Sequence, residues 1–211
     1  PEIFFKSLPE KVVPAGEPVG IRSDAKWNVP EPELALVLNS RGRIVGFTIG
    51  NDMSSRDIEG ENPLYLPQAK SYDKSASMGP CLSVIPGGID PKSTISIRIL
   101  RKGVEAFSNI IAIDQMKRSH EELAGFLFRE CSFPNGVFLM TGTGIVPPDH
   151  FTLAEGDEVG LRVGGDAEHL DVLLVRLLEG LEAGRLAELQ LAHADVKGVD
   201  HVQAFEIGAM G

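Results

Sequence analysis

The sequence is poor in several features that would point to particular classes of protein. It has two cysteines, Cys81 and Cys131, whose spacing is not that of a metal site, which favours a reduced, buried pair in a cytoplasmic protein. Lys and Arg number 20 against 30 Asp and Glu, giving a net charge of −10. Because a phosphate-binding surface needs clustered basic residues, this balance argues against nucleic acid as a partner.

Long apolar runs are also missing. No run approaches the length that crosses a bilayer, and no secretory signal pattern opens the chain, so we expect no membrane partner. The chain does not begin with Met, as expected of a fragment or a processed form. Its apolar fraction of 43% and charged fraction of 24% are typical of a globular domain, with or without an appendage.

Residues 1–165 are rich in Gly, Pro and β-branched residues and predict a mostly β (α+β) catalytic domain. Turn-forming residues separate the strand-like runs. One helix is predicted after Ser119, which suits an N-cap because Glu121 and Glu122 follow in the first turn. The clearest predicted strands are residues 34–38, 44–49, 94–100, 137–140 and 158–163.

Residues 166–211 form a tail of different composition. Between residues 168 and 192 it is rich in Leu and Ala, with Leu170, Leu173, Leu174 and Leu177 at helical spacing. This pattern predicts an amphipathic helix that packs on the domain. The alternative is a helix that docks on a partner subunit.

The strongest chemical signal is a pair of acids in a strand-like segment. Glu31 and Glu33 are two residues apart, so they project to one face of a strand. If Arg41 and Gly42 form a two-residue hairpin loop, Glu33 faces Gly50 and Glu31 faces Asp52. All three carboxylates then converge, and Gly50 leaves room between them.

Three converging carboxylates repel one another unless a cation neutralises them. A set of oxygen ligands without His or Cys favours Mg²⁺ first, then Mn²⁺ or Ca²⁺. The alternative is a solvated acidic strand edge, and the spacing of Glu31, Glu33 and Asp52 does not separate the two interpretations.

Three further features surround this cluster in the sequence. Arg56 follows Asp52 by one helical turn, and its guanidinium suits a substrate carboxylate. Lys70 stands at an apolar-to-polar junction where a partly desolvated lysine can act as a base. The alternatives are a surface ion pair for Arg56 and an exposed side chain for Lys70. The Gly-rich segment around Thr143 offers hydroxyls and N–H groups to an anionic oxygen.

The order of these motifs resembles the fumarylacetoacetate hydrolase family. The resemblance runs from residue 1 to about residue 163, and the fuller matches, at 1–6, 61–68 and 138–148, are to the sugar-acid dehydratase branch of that family. The residues that carry it are Glu31 and Glu33, then Asn51, Asp52, Ser54, Arg56 and Asp57, then Lys70, and then Thr141, Gly142 and Thr143.

The resemblance implies a fold and a set of roles. It implies a rolled β-sheet or β-barrel core and a homodimer or homotetramer. The implied magnesium ligands are Glu31, Glu33 and Asp52, and the implied acid/base pair is Glu2 and Lys70. Arg56 and Thr143 are the implied substrate contacts, with Lys6 as a further residue near the substrate.

The implied activity is a metal-dependent hydro-lyase reaction. We expect dehydration of a 2-keto-3-deoxy sugar acid to 2,5-dioxopentanoate through a metal-stabilised enolate. Hydrolysis of an acylpyruvate and decarboxylation of a 2-oxo acid use the same ligands and stay open as alternatives. A third possibility, from another class, is a non-catalytic metal-binding domain.

Overall fold

The computed structural model describes residues 1–84, 87–165, 168–176 and 203–208. Within these ranges the chain is mostly β, as the sequence predicts. The strands are β1 (Glu2–Ser7), β2 (Val12–Pro14), β3 (Asn28–Leu38), β4 (Ile44–Ser55), β5 (Ala76–Met78), β6 (Thr94–Arg101), β7 (Val104–Ala112), β8 (Val137–Met140), β9 (Glu158–Gly165), β10 (Glu168–Arg176) and β11 (Gln203–Gly208). The α-helices are α1 (Arg56–Glu61), α2 (Leu66–Lys70) and α3 (His120–Leu127), and short 3-10 turns lie at Pro9–Lys11, Pro63–Tyr65 and Ile113–Gln115. None of the described helices is long and apolar enough to span a membrane.

The strands form two sheets. Seven strands pair in the order β1-β11-β8-β3-β4-β5-β2, and four pair in the order β10-β9-β6-β7. β1 and β2 are the two edges of the larger sheet, yet only residues 8–11 separate them in sequence. Lys6 of β1 also reaches the main-chain oxygen of Met53 in β4. The larger sheet therefore curls until its edges approach each other, which confirms the expected roll.

The main core consists of apolar side chains from both sheets. Leu34 and Leu36 alternate along β3 with residues of the opposite face, and they join Ile49 of β4 in one buried cluster. β6 and β9 of the smaller sheet contribute Ile97 and Leu161 to the same cluster. Burial of each such side chain stabilises the fold by about 1.5–3 kcal/mol. One face of β3 is thus fixed to the core, and its other face is free to carry polar groups.

The predicted elements of residues 1–165 are all present. The five strands occur as β3, β4, β6, β8 and β9, with β3 and β4 extended by several residues. The N-cap of α3 is also confirmed, because Ser119 Oγ accepts a hydrogen bond from the Glu122 N–H at 3.1 Å. The expected burial of the two cysteines is wrong: both are reduced, Cys81 is half-buried and Cys131 is exposed.

The loop between β3 and β4 differs from the prediction, although the register does not. Asn39 and Arg43 close a three-residue loop in which Gly42 has a φ of +71°. That loop alone would shift the pairing by one residue. A β-bulge at Val45, between the pairs Leu38–Ile44 and Val37–Gly46, restores it.

The helix predicted over residues 168–192 is wrong for Glu168–Arg176. These residues form β10, which pairs antiparallel with β9, and a register shift between Leu170 and Leu173 accommodates the three-residue spacing. The β-branched Val172 and Val175 favour a strand. Residues 177–192 lie outside the described residues, and the boundary at residue 165 stays a prediction. β11 lies between β1 and β8, so the tail contributes strands to both sheets.

Candidate active site

Three acidic side chains meet on the face of β3 and β4 that points away from the main core. Glu31 pairs with Asp52 and Glu33 pairs with Gly50, as strand parity predicts. One oxygen from each of the three carboxylates lies within 4.8 Å of the others. Glu31, Glu33 and Asp52 are only 3%, 0% and 0% exposed, so the solvated-edge interpretation is wrong.

The prolines beside these acids match a gap in the sheet. β8 pairs with β3 only from Ala35 to Leu38, and the Thr141 N–H then donates to the Leu34 oxygen at 3.1 Å. Pro30 and Pro32 occupy alternate positions on the same side of β3, beyond the end of β8. A proline, which has no N–H, is tolerated where no neighbouring strand needs a donor.

Gly50 does not leave an open space, contrary to the sequence interpretation. A Cβ atom added at Gly50 would lie 2.7 Å from Met140 Sδ and 3.6 Å from Ala35 Cβ. The side chain of Met140 thus fills the position opposite Glu33, and the floor of the carboxylate cluster is closed.

Three basic side chains contact the carboxylates. Lys70, at the end of α2, places Nζ 2.8 Å from Glu31 Oε2 and 2.6 Å from Asp52 Oδ2. Lys6 contacts Asp52 Oδ1. Arg56 Nη1 lies 2.7 Å from Glu31 Oε1. Three formal positive charges therefore face three formal negative charges.

Glu33 is the carboxylate least satisfied by the protein. Its Oε2 accepts a hydrogen bond from the Gly142 N–H at 2.7 Å, whereas its Oε1 is buried and has no hydrogen-bond partner among the described residues. The pKa of Glu33 is raised well above its ordinary value, first by burial and then by the charges of Asp52 and Glu31. A buried oxygen without a donor, set among other carboxylates, fits a hard divalent ion.

Two predicted site residues, Thr143 and Glu2, make no described contact with the three carboxylates. Thr143 uses its hydroxyl within its own loop, accepting from the Ile145 N–H at 3.1 Å and donating to the Ile145 oxygen at 3.0 Å. Glu2 is exposed at the start of β1. Among the described contacts, the cluster unites Lys6, Lys70 and Arg56 with the acids but does not include Glu2 or Thr143.

No chemical role was assigned from the sequence to three residues of the site. Ser54 Oγ lies 2.5 Å from Lys70 Nζ, and strand parity with Asp52 could have found it. Glu59 follows Arg56 by three residues on α1, where burial is the main cause of its raised pKa. The Trp27 ring lies 5.5 Å below the Arg56 guanidinium, a contact that no local pattern predicts.

Comparison with known proteins identifies a family and several relatives of this chain. Residues 1–172 match the model of the fumarylacetoacetate hydrolase C-terminal family. The chain is 46% identical over 166 residues to a probable 2-keto-3-deoxyxylonate dehydratase of Haloferax volcanii, a match that covers 78% of this chain and 57% of that protein. It is 43% identical over 164 residues to 2-dehydro-3-deoxy-D-arabinonate dehydratase of Saccharolobus solfataricus, covering 77% and 55%.

A solved structure shares the fold. It is 2-keto-3-deoxy-D-arabinonate dehydratase complexed with magnesium and 2,5-dioxopentanoate, with a TM-score of 0.79 and 38% identity over 86% of this chain and 64% of that one. The chain spans just over half the length of the curated relatives it matches. With the family model covering most of its residues, this chain belongs to the fumarylacetoacetate hydrolase family.

Proposed function

We propose that this protein is a Mg²⁺-dependent dehydratase that converts a 2-keto-3-deoxy sugar acid of the arabinonate type to 2,5-dioxopentanoate. One observation carries the proposal: the Lys70 ammonium contacts two of the three carboxylates that can hold a metal. The candidate base and the candidate metal site are thus one buried unit. The names of the two curated relatives support a sugar-acid substrate.

Glu31, Glu33 and Asp52 would hold the divalent ion. They offer oxygen ligands alone, and the Glu33 oxygen that has no hydrogen-bond partner would coordinate the cation. The ion supplies a Lewis acid that acidifies the protons beside a 2-oxo group. The related dehydratase structure contains magnesium, which supports Mg²⁺ over Mn²⁺ or Ca²⁺.

Lys70 would act as the base: its ammonium first gives up a proton to solvent, and the neutral amine then takes a proton from C3. Ser54 and Asp52 hold its nitrogen on the face of the sheet that carries the acids. Glu2 would give a proton to the C4 hydroxyl, the C4–O bond breaks, and water leaves as a C3–C4 double bond forms. Tautomerisation then turns C5 into an aldehyde. The exposed position of Glu2 leaves it accessible to solvent and substrate, and its role rests on the family resemblance.

Arg56 would bind the substrate carboxylate. Its side chain is 30% exposed, and contacts with Glu31 and the Trp27 ring hold its guanidinium in place. One edge of the fork can therefore reach an anion. Thr143 follows Gly142, whose N–H binds Glu33, so the Thr143 loop borders the same cluster and supports a substrate contact there.

The quaternary structure and location belong to the same proposal. We infer a homodimer or homotetramer from the family resemblance, and a cytoplasmic location from the two reduced cysteines. The exposed apolar side chains of Val104 and Ile110 on β7, an edge strand of the smaller sheet, support association.

The test is an assay of purified protein with Mg²⁺ against 2-keto-3-deoxy pentonates, 2-keto-3-deoxy hexonates and acylpyruvates. We expect 2,5-dioxopentanoate from a pentonate and no product after removal of the metal with EDTA. Cleavage of the acylpyruvates instead would show a C–C hydrolase. Metal binding without deuterium exchange at C3 of a 2-oxo acid would show a non-catalytic domain.

A further inference from the structure

Lys6 is the most completely enclosed cation of the cluster. Its side chain is 0% exposed, although lysine is rarely buried without a partner. It lies on β1, which is separated from β4 by three strands in the order of the larger sheet. Its ammonium therefore crosses the inside of the rolled sheet to reach Asp52.

The hydrogen-bonding capacity of Lys6 is fully used by the protein. Nζ contacts Asp52 Oδ1, the Lys70 main-chain oxygen and, at 3.0 Å, the Met53 main-chain oxygen. An ammonium has three donors, and these are three acceptors. No donor remains for a substrate, so the structure does not favour the substrate contact that the family resemblance implies for Lys6.

The same three contacts connect the proposed metal site with the proposed base. Asp52 Oδ1 is held by Lys6 and Asp52 Oδ2 by Lys70. Lys6 also binds the main chain of Lys70 at the end of α2, and the neighbouring Phe5 oxygen accepts from Ser71 Oγ at 3.0 Å. A single cation thus fixes a metal ligand and the backbone of the base relative to each other.

The backbone of β1 is irregular at Lys6. The pairing of β1 with β11 shifts between Phe5 and Ser7, so Lys6 occupies a β-bulge. Regular alternation would expose one of two successive residues, but Lys6 and Ser7 are both buried. The bulge thus lies at the residue that reaches Asp52, and bulges are over-represented beside functional sites.

We propose that Lys6 is a positioning residue, which orients Asp52 and Lys70 and compensates the charge of Asp52 without touching substrate. Without Lys6, Asp52 would keep Lys70 as its cationic partner among the described residues, and that ammonium is shared with Glu31. The buried charge of Asp52 would then be less compensated in the metal-free protein, and a bound divalent ion would supply the missing positive charge. The kinetic consequence rests on the function proposed above; the effect on stability does not.

The test compares Lys6→Met and Lys6→Arg with the control Lys11→Met. Lys11 lies on the same segment but pairs with Asp73 at the surface, where its side chain is 41% exposed. Thermal unfolding is measured with and without Mg²⁺, and kcat and KM are measured with the 2-keto-3-deoxy acid. For Lys6→Met we expect a larger rise of Tm on addition of Mg²⁺ than in the wild type, a kcat lower by about 10- to 100-fold and a nearly unchanged KM.

Lys6→Arg retains the charge, so its Tm response to Mg²⁺ should resemble the wild type, while kcat still falls because a planar guanidinium cannot meet the same three acceptors. A raised KM with an unchanged kcat would show direct substrate binding and overturn the proposal. Equal loss of Tm with and without Mg²⁺, at unchanged kcat, would show a purely structural role and also overturn it. If Lys6→Met does not fold, the split between kcat and KM in Lys6→Arg decides.

The two proposals fail separately. A wild-type protein that dehydrates none of the acids would refute the proposed function, and the Tm comparison would still decide the role of Lys6. A dehydratase in which Mg²⁺ raises the Tm of Lys6→Met no more than that of Lys11→Met would refute the role of Lys6 alone.

Discussion

Glu31 and Asp52 lie directly opposite each other in the antiparallel pair of β3 and β4, and one ammonium, that of Lys70, bridges them at 2.8 and 2.6 Å. The two acids are 21 residues apart in sequence, on strands that the core holds on their other face. Their separation is therefore fixed by sheet geometry, which is stiffer than a loop, and this suits a preorganised metal site.

Glu33 predicts a pH dependence of the metal-free protein. Its raised pKa means that the folded state binds the Glu33 proton more tightly than the unfolded state does. This contribution to the free energy of unfolding is fully present below pH 4.5, the ordinary pKa of a glutamate side chain. It is lost as pH rises through the raised pKa of Glu33. Glu33→Gln stays neutral, so its free energy of unfolding in EDTA should fall less with rising pH than that of the wild type.

Urea unfolding in EDTA across about pH 5 to 8 measures this difference. The exposed Glu17→Gln variant is the control and should keep the wild-type slope. Added Mg²⁺ should remove the decline in the wild type, since the ion favours the deprotonated carboxylate. Parallel slopes for Glu33→Gln and the wild type would contradict the assignment.

Lys70→Met should abolish most of the turnover. Removing a general base typically lowers the rate by about 10²- to 10⁴-fold, and we expect a loss of kcat in that range at saturating Mg²⁺. Lys92→Met, which changes an exposed lysine, should retain wild-type kcat. Full turnover by a folded Lys70→Met protein would exclude Lys70 as the base.

Arg56→Lys should weaken substrate binding more than it slows the chemical step. Arg56 Nη1 donates a hydrogen bond to Glu31, and a lysine in its place could not also offer a second, parallel donor to the substrate carboxylate. Loss of one charged hydrogen bond raises KM by about tenfold or more. Arg101→Lys is a matched control, because Arg101 likewise pairs with an acid, Asp157, and stacks on a ring, Phe151. Equal KM changes in both variants would argue against a substrate contact.

The carboxylate cluster was predictable from sequence for a physical reason. Strand side chains alternate, so a wrong register would place Leu34 and Leu36 on the polar face, and burial selects against it. The predicted two-residue loop was wrong. The observed loop and the bulge at Val45 shift the pairing in opposite directions. The predicted pairing of Glu31 with Asp52 is therefore correct although the predicted loop length is not.

The contacts of Lys6 and Trp27 could not be predicted from local sequence patterns, because both join residues far apart in the chain. Lys6 meets the Lys70 oxygen across 64 residues, and this contact depends on the roll of the larger sheet. Trp27 meets Arg56 across an intervening hairpin. The strand at Glu168–Arg176 was missed because leucine spacing outweighed Val172 and Val175, and its strand conformation depends on pairing with β9.

Ser119→Ala should lower stability without affecting the site. Loss of the N-cap hydrogen bond to the Glu122 N–H costs about 1 kcal/mol. Urea unfolding measures the change, and Ser119→Asp, which can still cap the helix, should remain close to the wild type. A larger effect on kcat than on stability would show that α3 is coupled to the site.

Gly50→Ala should disturb both stability and metal binding. The new Cβ would lie 2.7 Å from Met140 Sδ, so Met140 must shift beside Glu33. Overpacking of this kind costs about 1–3 kcal/mol, and the flexible end of a methionine favours the lower part of that range. Gly60→Ala is the control: nothing lies within 4 Å of its added Cβ, and an alanine in α1 should stabilise the protein by about 0.5–1 kcal/mol.

A double-mutant cycle tests whether the contact with Met140 causes the effect of Gly50→Ala. If the clash is with Met140, Gly50→Ala should cost less in the Met140→Ala background, because the truncated side chain leaves space for the new Cβ. Magnesium titration of the same four proteins should show that Met140→Ala also restores part of the affinity lost by Gly50→Ala. Additive effects on stability would show that the cost of Gly50→Ala does not come from the Met140 contact.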